Sequence, residues 1–188
     1  MYDTSHGLGK VFDGRTRAGS PARNSKFNQR DGTPEIGIAN ADRKAVVGVL
    51  NRLLADEFLL YVKSRRFHWN VEGPNFSELH ALFQKHYEEL GQVIDDVAER
   101  ARALDGTAAG SLQEYLELTR LKEESARRYD ARGMITALLA DHETVIRNLR
   151  NDLQVCSNEH KDEGTTDFLT GLMQAHEKMA WMLRVYLR

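Results

Sequence analysis

Apolar residues recur at three- and four-residue spacing over four long stretches of the chain, and that period predicts helices. From about Asp42 to His68, Val46, Leu50, Leu53, Leu54 and Phe58 share one helical side. The run Gly73-Pro74-Asn75 breaks the pattern, and Asn75 with Glu78 three residues on predicts a capping box for the next helix. The second stripe is the clearest, through Leu79, Leu82, Phe83, Tyr87, Leu90, Ile94, Val97, Ala101 and Leu104, and Asp105-Gly106 ends it. A third helix is predicted from about Gly133 to Asn158 on Leu138, Val145, Leu149 and Leu153. A fourth is predicted from about Thr166 to Arg188 on Phe168, Leu172, Met179 and Leu183. Residues 105–133 form a long connection with one short helical piece near Ser111–Leu118, where Ser111 and Glu114 suggest a cap. No β-alternation competes. The pattern predicts an all-α four-helix bundle with a short helix in the long crossover between helices 2 and 3.

Residues 1–38 have a different texture, with six of the fourteen glycines, two of the three prolines and few large aliphatic residues. Such a segment cannot bury enough apolar surface to offset its ordering entropy, so it is expected to be a flexible tail ahead of a bundle domain over 39–188. Its cations Lys10, Arg15, Arg17, Arg23, Lys26 and Arg30 exceed Asp3, Asp13, Asp31 and Glu35 by two, a mildly basic balance.

The remaining composition mostly excludes. Across 188 residues the net charge is -2, which argues against a wholly basic nucleic-acid binder. Cys156 is the single cysteine, so no internal disulfide forms, and a reducing compartment is the simpler expectation. No stretch approaches the roughly 18–20 uncharged apolar residues of a membrane span, and the first residues lead into no signal-like apolar run. A cytoplasmic protein is expected.

The chemistry sits around the second helix. His68 closes the first helix, His80 opens the second, and Asp95 and Glu99 lie one turn apart further along it. Carboxylates at i and i+4 share a face and can hold one cation together, and two imidazoles with two carboxylates suit iron. A carboxylate pair on a helix is also commonly a solvated stripe. Placing Asp95 among Ile94, Val97 and Ala98 predicts burial, which like charges one turn apart tolerate poorly without a cation. His80 and Asp95 stand about 22 Å apart along one helix, whereas ligand bonds are near 2 Å. One chain therefore cannot close this quartet on one ion, but an antiparallel second copy crossing near residues 88–90 can. Gly91, beside that point, would let two backbones approach, or is simply a tolerated mid-helix glycine. No Glu-x-x-His occurs, so the usual intrasubunit di-iron arrangement is not predicted.

The segments Phe67-His68-Trp69-Asn70-Val71-Glu72-Gly73-Pro74-Asn75-Phe76, Leu79-His80 and Ile94-Asp95-Asp96-Val97-Ala98-Glu99-Arg100 resemble the signature of the Dps family. These are ferritin-like, dodecameric mini-ferritins named for protecting DNA in starved cells. Glu177-Lys178-Met179-Ala180-Trp181-Met182-Leu183 resembles the family's last helix, and the likeness spans about residues 42–188. It implies that His68 and His80 of one subunit and the residues matching Asp95 and Glu99 in its partner bind Fe(II). It further implies that electrons pass to hydrogen peroxide or, more slowly, oxygen, and that ferric mineral collects inside a hollow shell. Trp69 would relay oxidising equivalents or simply pack on the helix end. Asp167, and less closely Asp162 and Glu163, would line a three-fold pore for incoming iron, or form a solvated helix start.

His142 and His176 fall on the apolar stripes of their helices and can face each other, as core residues or as a second metal site. His86 and His160 are expected at the surface or a helix end, and Cys156 in the core and inert. The runner-up function is a non-specific DNA-compacting protein using the tail, since twelve weak tails on one shell would act multivalently.

Overall fold

A computed structural model of the chain describes residues 32–124 and 127–188. The helices are α1 (Asn40–Asn70), α2 (Phe76–Ala103), the short α3 (Leu112–Leu118), α4 (Ala131–Gln154) and α5 (Glu163–Val185), with a π-helical turn, Val155–Glu159, extending α4. No strand is present among the described residues. α1 packs along α2 and α4 along α5, each pair antiparallel across a short turn. The crossover through α3 carries the chain to the opposite end of the bundle, giving an up-down-down-up order.

The core is the expected one. Leu50, Leu53, Leu60, Phe83, Leu90, Val97, Leu138, Val145, Leu149, Leu169 and Leu183 are buried where the helices face one another. Each such side chain contributes about 1.5–3 kcal/mol on leaving water. Phe58 differs: it is half-buried and stacks on Tyr115 of α3 at 4.3 Å, on the crossover side of α1. The crossover gives α1 a second covered face. Arg120 bonds Asp56, Lys63 Nζ donates to the Lys122 carbonyl, and Arg66 reaches the carbonyls of Glu124 and Arg127.

Local signals mostly act as read, with one correction. Ser111 and Glu114 close a capping box on α3, each bonding the other's backbone N–H. Asn75 occupies the N-cap of α2, but its side chain makes no capping bond, so the box predicted with Glu78 does not form. At the end of α2 the left-handed residue is Asp105, at φ 66°, rather than the glycine. The Asp105 N–H bonds the Arg102 carbonyl and the Gly106 N–H that of Ala101, a Schellman arrangement. Gly106 is required for another reason: a Cβ there would collide with the Val47 side chain on α1. Gly106→Ala is expected to cost about 1–3 kcal/mol, the usual penalty of overpacking, read as a lower midpoint in thermal unfolding.

Candidate metal centre

The turn between α1 and α2 builds half of the site. Val71 is extended and buried, its N–H bonding the Phe67 carbonyl, and Gly73 adopts φ 111°, a conformation a side chain would strain. This turn lays His68 against His80, with ring centroids 3.7 Å apart and planes 26° from parallel. Nδ1 of His68 lies 2.9 Å from the His80 carbonyl oxygen, and Nδ1 of His80 lies 2.9 Å from that of His68. A carbonyl only accepts, so each Nδ1 donates a proton and Nε2 is the nitrogen left to bind a metal. The backbone thus fixes two imidazoles in the tautomer a metal needs.

Aromatic side chains frame the pair. Tyr87 meets His68 edge-on at 5.2 Å and Phe76 lies 5.0 Å from His80. The Arg65 guanidinium sits 5.2 Å over the Trp69 ring and 5.0 Å over Tyr87. Trp69 is 66% exposed, one residue from His68.

Asp95 and Glu99 project from the far half of the unbroken α2. Both are exposed in the subunit, so the expectation of a buried Asp95 is corrected: Val93 and Val97 turn inward and Asp95 outward. Neither carboxylate makes a hydrogen bond or ion pair among the described residues. Among the described residues no three His, Cys, Asp or Glu side chains of one chain converge there as a metal site. The four residues therefore form two half-sets, about 22 Å apart along α2. Two neutral imidazole nitrogens with two free carboxylates are a donor set that iron accepts. A Cβ at Gly91 would meet Tyr61 of the same chain at an ordinary 3.7 Å, so packing within the subunit does not demand glycine there.

The acidic start of α5 separates into two kinds of residue. Asp162 is buried and caps the helix, accepting from the Thr165 N–H at 2.9 Å, from the Thr165 hydroxyl at 2.6 Å and from Arg100 at 3.1 Å. Its assignment to a pore wall is corrected accordingly, because both oxygens are turned inward and occupied. Glu163 and Asp167 are exposed. The tail cations Lys10, Arg15, Arg17, Arg23, Lys26 and Arg30 lie outside the described residues.

The histidine assignments change most. His86, expected near the surface, is 1% exposed. The signal was available, since His86 follows Leu82 by four residues and precedes Leu90 by four on the core stripe of α2. Burial first, then Lys85 and His176, push its imidazole down to about 4. His142 is fully buried and held well below its ordinary range by burial, then by His176 and His86. His160 does lie at a helix end, bonded to Asp42 at 2.9 Å. Cys156 is buried in the π-helical turn, and burial first, then Asp152 and Asp162, pushes its thiol up to about 12. That thiol is a poor nucleophile.

The buried imidazoles make stability depend on pH. His86 stays neutral in the fold down to about 4, whereas an unfolded imidazole takes a proton near 6.5. Below about pH 6.5 the unfolded chain binds more protons, so stability falls as pH drops toward about 4. His86 alone accounts for roughly 3 kcal/mol over that interval. In chelator-treated protein, thermal melts near neutrality and near pH 5 should show a smaller acid loss for His86→Leu than for wild type. Equal losses would contradict the assignment.

A helical pair, a long crossover and a second antiparallel pair define a ferritin-like bundle, and the ferritin-like domain family matches residues 47–188. The chain is 39% identical to DNA protection during starvation protein 2 of Bacillus anthracis, over 77% of this chain and 97% of that protein. It is 47% identical to an uncharacterized low temperature-induced protein of Nostoc, over 81% and 85% of the two chains. Among solved structures, Dps from Vibrio cholerae O1 superposes with a TM-score of 0.77 at 31% identity, covering 83% of this chain and 97% of that one. That protein is described as a member of a superfamily of ferritin-like diiron-carboxylate proteins. The chain belongs to the Dps family of ferritin-like proteins. Among its described residues no helix is long and apolar enough to cross a membrane.

Proposed function

We propose that this protein is a ferroxidase and iron store whose site closes only between two subunits. Fe(II) is the substrate, held by His68 and His80 of one subunit and by Asp95 and Glu99 of the partner subunit. The carrying observation is the backbone-locked histidine pair where α1 turns into α2, with Nε2 of each ring left to bind, while the two uncommitted carboxylates lie too far along α2 to join it. Two antiparallel copies of α2 related by a two-fold axis bring the half-sets together twice, giving two identical sites per dimer. The carboxylates offset the charge gained as iron is oxidised, and hydrogen peroxide, or oxygen more slowly, accepts the electrons.

Assembly to a dodecamer would enclose the ferric mineral. Asp167 and Glu163, exposed at the start of α5, are the residues left to line an iron pore. Trp69, exposed beside His68 and under the Arg65 guanidinium, would take up stray oxidising equivalents, a role its exposure beside the pair supports. Anaerobic Fe(II)-loaded protein given peroxide should develop a ferric absorbance within a particle of dodecamer mass. A monomeric mass with full activity would defeat this reading. Non-specific DNA binding through the tail is the secondary function, and a salt-sensitive gel shift lost on deleting residues 1–38 is its test.

A further inference from the structure

A second cluster of donors lies inside the bundle, away from the turn that holds His68 and His80. Glu57, His86, His142 and His176 come one each from α1, α2, α4 and α5, and all are buried. Their hydrogen bonds fix the proton positions. Glu57 Oε1 lies 2.9 Å from His176 Nε2 and accepts from it, so that nitrogen carries the proton. His176 Nδ1 is then a lone pair, and it accepts from His142 Nδ1 at 2.9 Å. His142 Nε2 is left as a bare lone pair with no partner. His86 meets the His142 ring edge-on at 5.6 Å, and neither of its nitrogens has a partner. Glu57 Oε2 is unpartnered as well.

Four polar atoms without a protein partner in one buried cluster are unusual, because no side chain or backbone group replaces the hydration they give up. An apolar residue at position 86 would avoid that cost. The carboxylate and the bare imidazole lone pair both call for an electron-pair acceptor, and the cluster's charge favours a cation. Imidazole donors suit zinc, copper, iron or nickel and not the hard oxygen-seeking ions.

We propose that His142 Nε2 and a ring nitrogen of His86 anchor one borderline transition-metal cation inside each subunit. His176 and Glu57 are positioning residues: their chain of hydrogen bonds holds His142 in the tautomer whose Nε2 is free, the role a carboxylate–histidine relay plays behind metal ligands. Among the described residues no three donors already converge.

The test uses full-length His68→Ala/His80→Ala protein, which lacks the turn histidines, stripped with chelator and titrated with Zn2+ against a chromophoric competitor. One Zn2+ per chain is expected to remain, with a higher unfolding temperature in its presence. Adding His142→Leu or His86→Leu should weaken that binding at least about 100-fold, and Glu57→Gln about 10–100-fold. Far-UV circular dichroism checks that each variant is folded. Substituting Co2+ gives a visible d–d band of nitrogen ligation, which serves even if a leucine variant fails to fold. No retained Zn2+ and no such band would overturn the proposal and leave a buried water as the occupant. Zn2+ retained undiminished in both folded leucine variants would overturn it equally. Failure here leaves the shared site of His68 and His80 untouched, since those residues are absent from every protein in the comparison.

Discussion

His68→Ala and Asp95→Ala are each expected to lower the rate of Fe(II) oxidation by peroxide by at least about 100-fold, more than the loss typical of a residue merely supporting a ligand. The subunit should fold normally in both cases. Asp95 is exposed and makes no bond within the subunit, so its removal leaves the packing intact. His68 loses one bond to the His80 carbonyl and its ring contacts with His80 and Tyr87, a local change at the end of α1. Stopped-flow absorbance after anaerobic Fe(II) loading reads the effect directly. A rate within a few-fold of wild type in either variant would remove these residues from the site. His80→Ala and Glu99→Ala should behave alike, with Glu99 milder if Asp95 alone can keep the ion.

Asp56→Ala carries the largest expected effect on stability. The Asp56 carboxylate is fully buried and accepts from the Arg120 N–H at 2.6 Å, the Arg120 Nε at 2.8 Å and the Thr119 hydroxyl at 2.9 Å. Arg120 also reaches Asp152 at 2.8 Å, so a single guanidinium ties the crossover to α1 and α4. Removing one partner of a buried ion pair costs about 3–5 kcal/mol, and the partial exposure of Arg120 with its remaining bond to Asp152 puts this loss toward the lower end. A chain of this size should then melt roughly 10 °C lower. Asp56→Asn, which keeps one acceptor, should fall between wild type and alanine. A melting temperature unchanged in Asp56→Ala would mean that the crossover is held by its apolar contacts instead.

The bundle was legible because its signal is periodic. Leu79, Leu82, Phe83, Leu90 and Val97 all lie where three- and four-residue spacing placed them, in the core. α1 was harder, because the crossover covers a second face of it. Asp56 and Lys63 look like solvated residues in the sequence, and only the distant Arg120 and Asp141 explain their burial. His86 was misassigned although it sits in register with the apolar stripe, since an ionisable side chain reads as polar until its neighbours are known. Asp95 was misassigned in the opposite sense: its apolar neighbours in sequence point to other faces of α2. Asp162 read as one acid among several, and the structure separates it by capping α5 and pairing it with Arg100. The pairing of His68 with His80 was foreseeable from a short turn between helices. The reciprocal bonds to carbonyl oxygens that set both tautomers were not, because they depend on the path of residues 71–75.

Mixing inactive variants tests most directly whether two polypeptides share one site. In a dimer of one His68→Ala chain and one Asp95→Ala chain, one site carries both defects while the other keeps all four native residues. Dissociated and randomly reassembled from equal amounts, the two variants should recover about a quarter of wild-type Fe(II) oxidation, since half of the dimers are mixed and half of their sites are whole. Reassembled protein of native mass that stays as inactive as either variant alone would contradict a site shared between subunits.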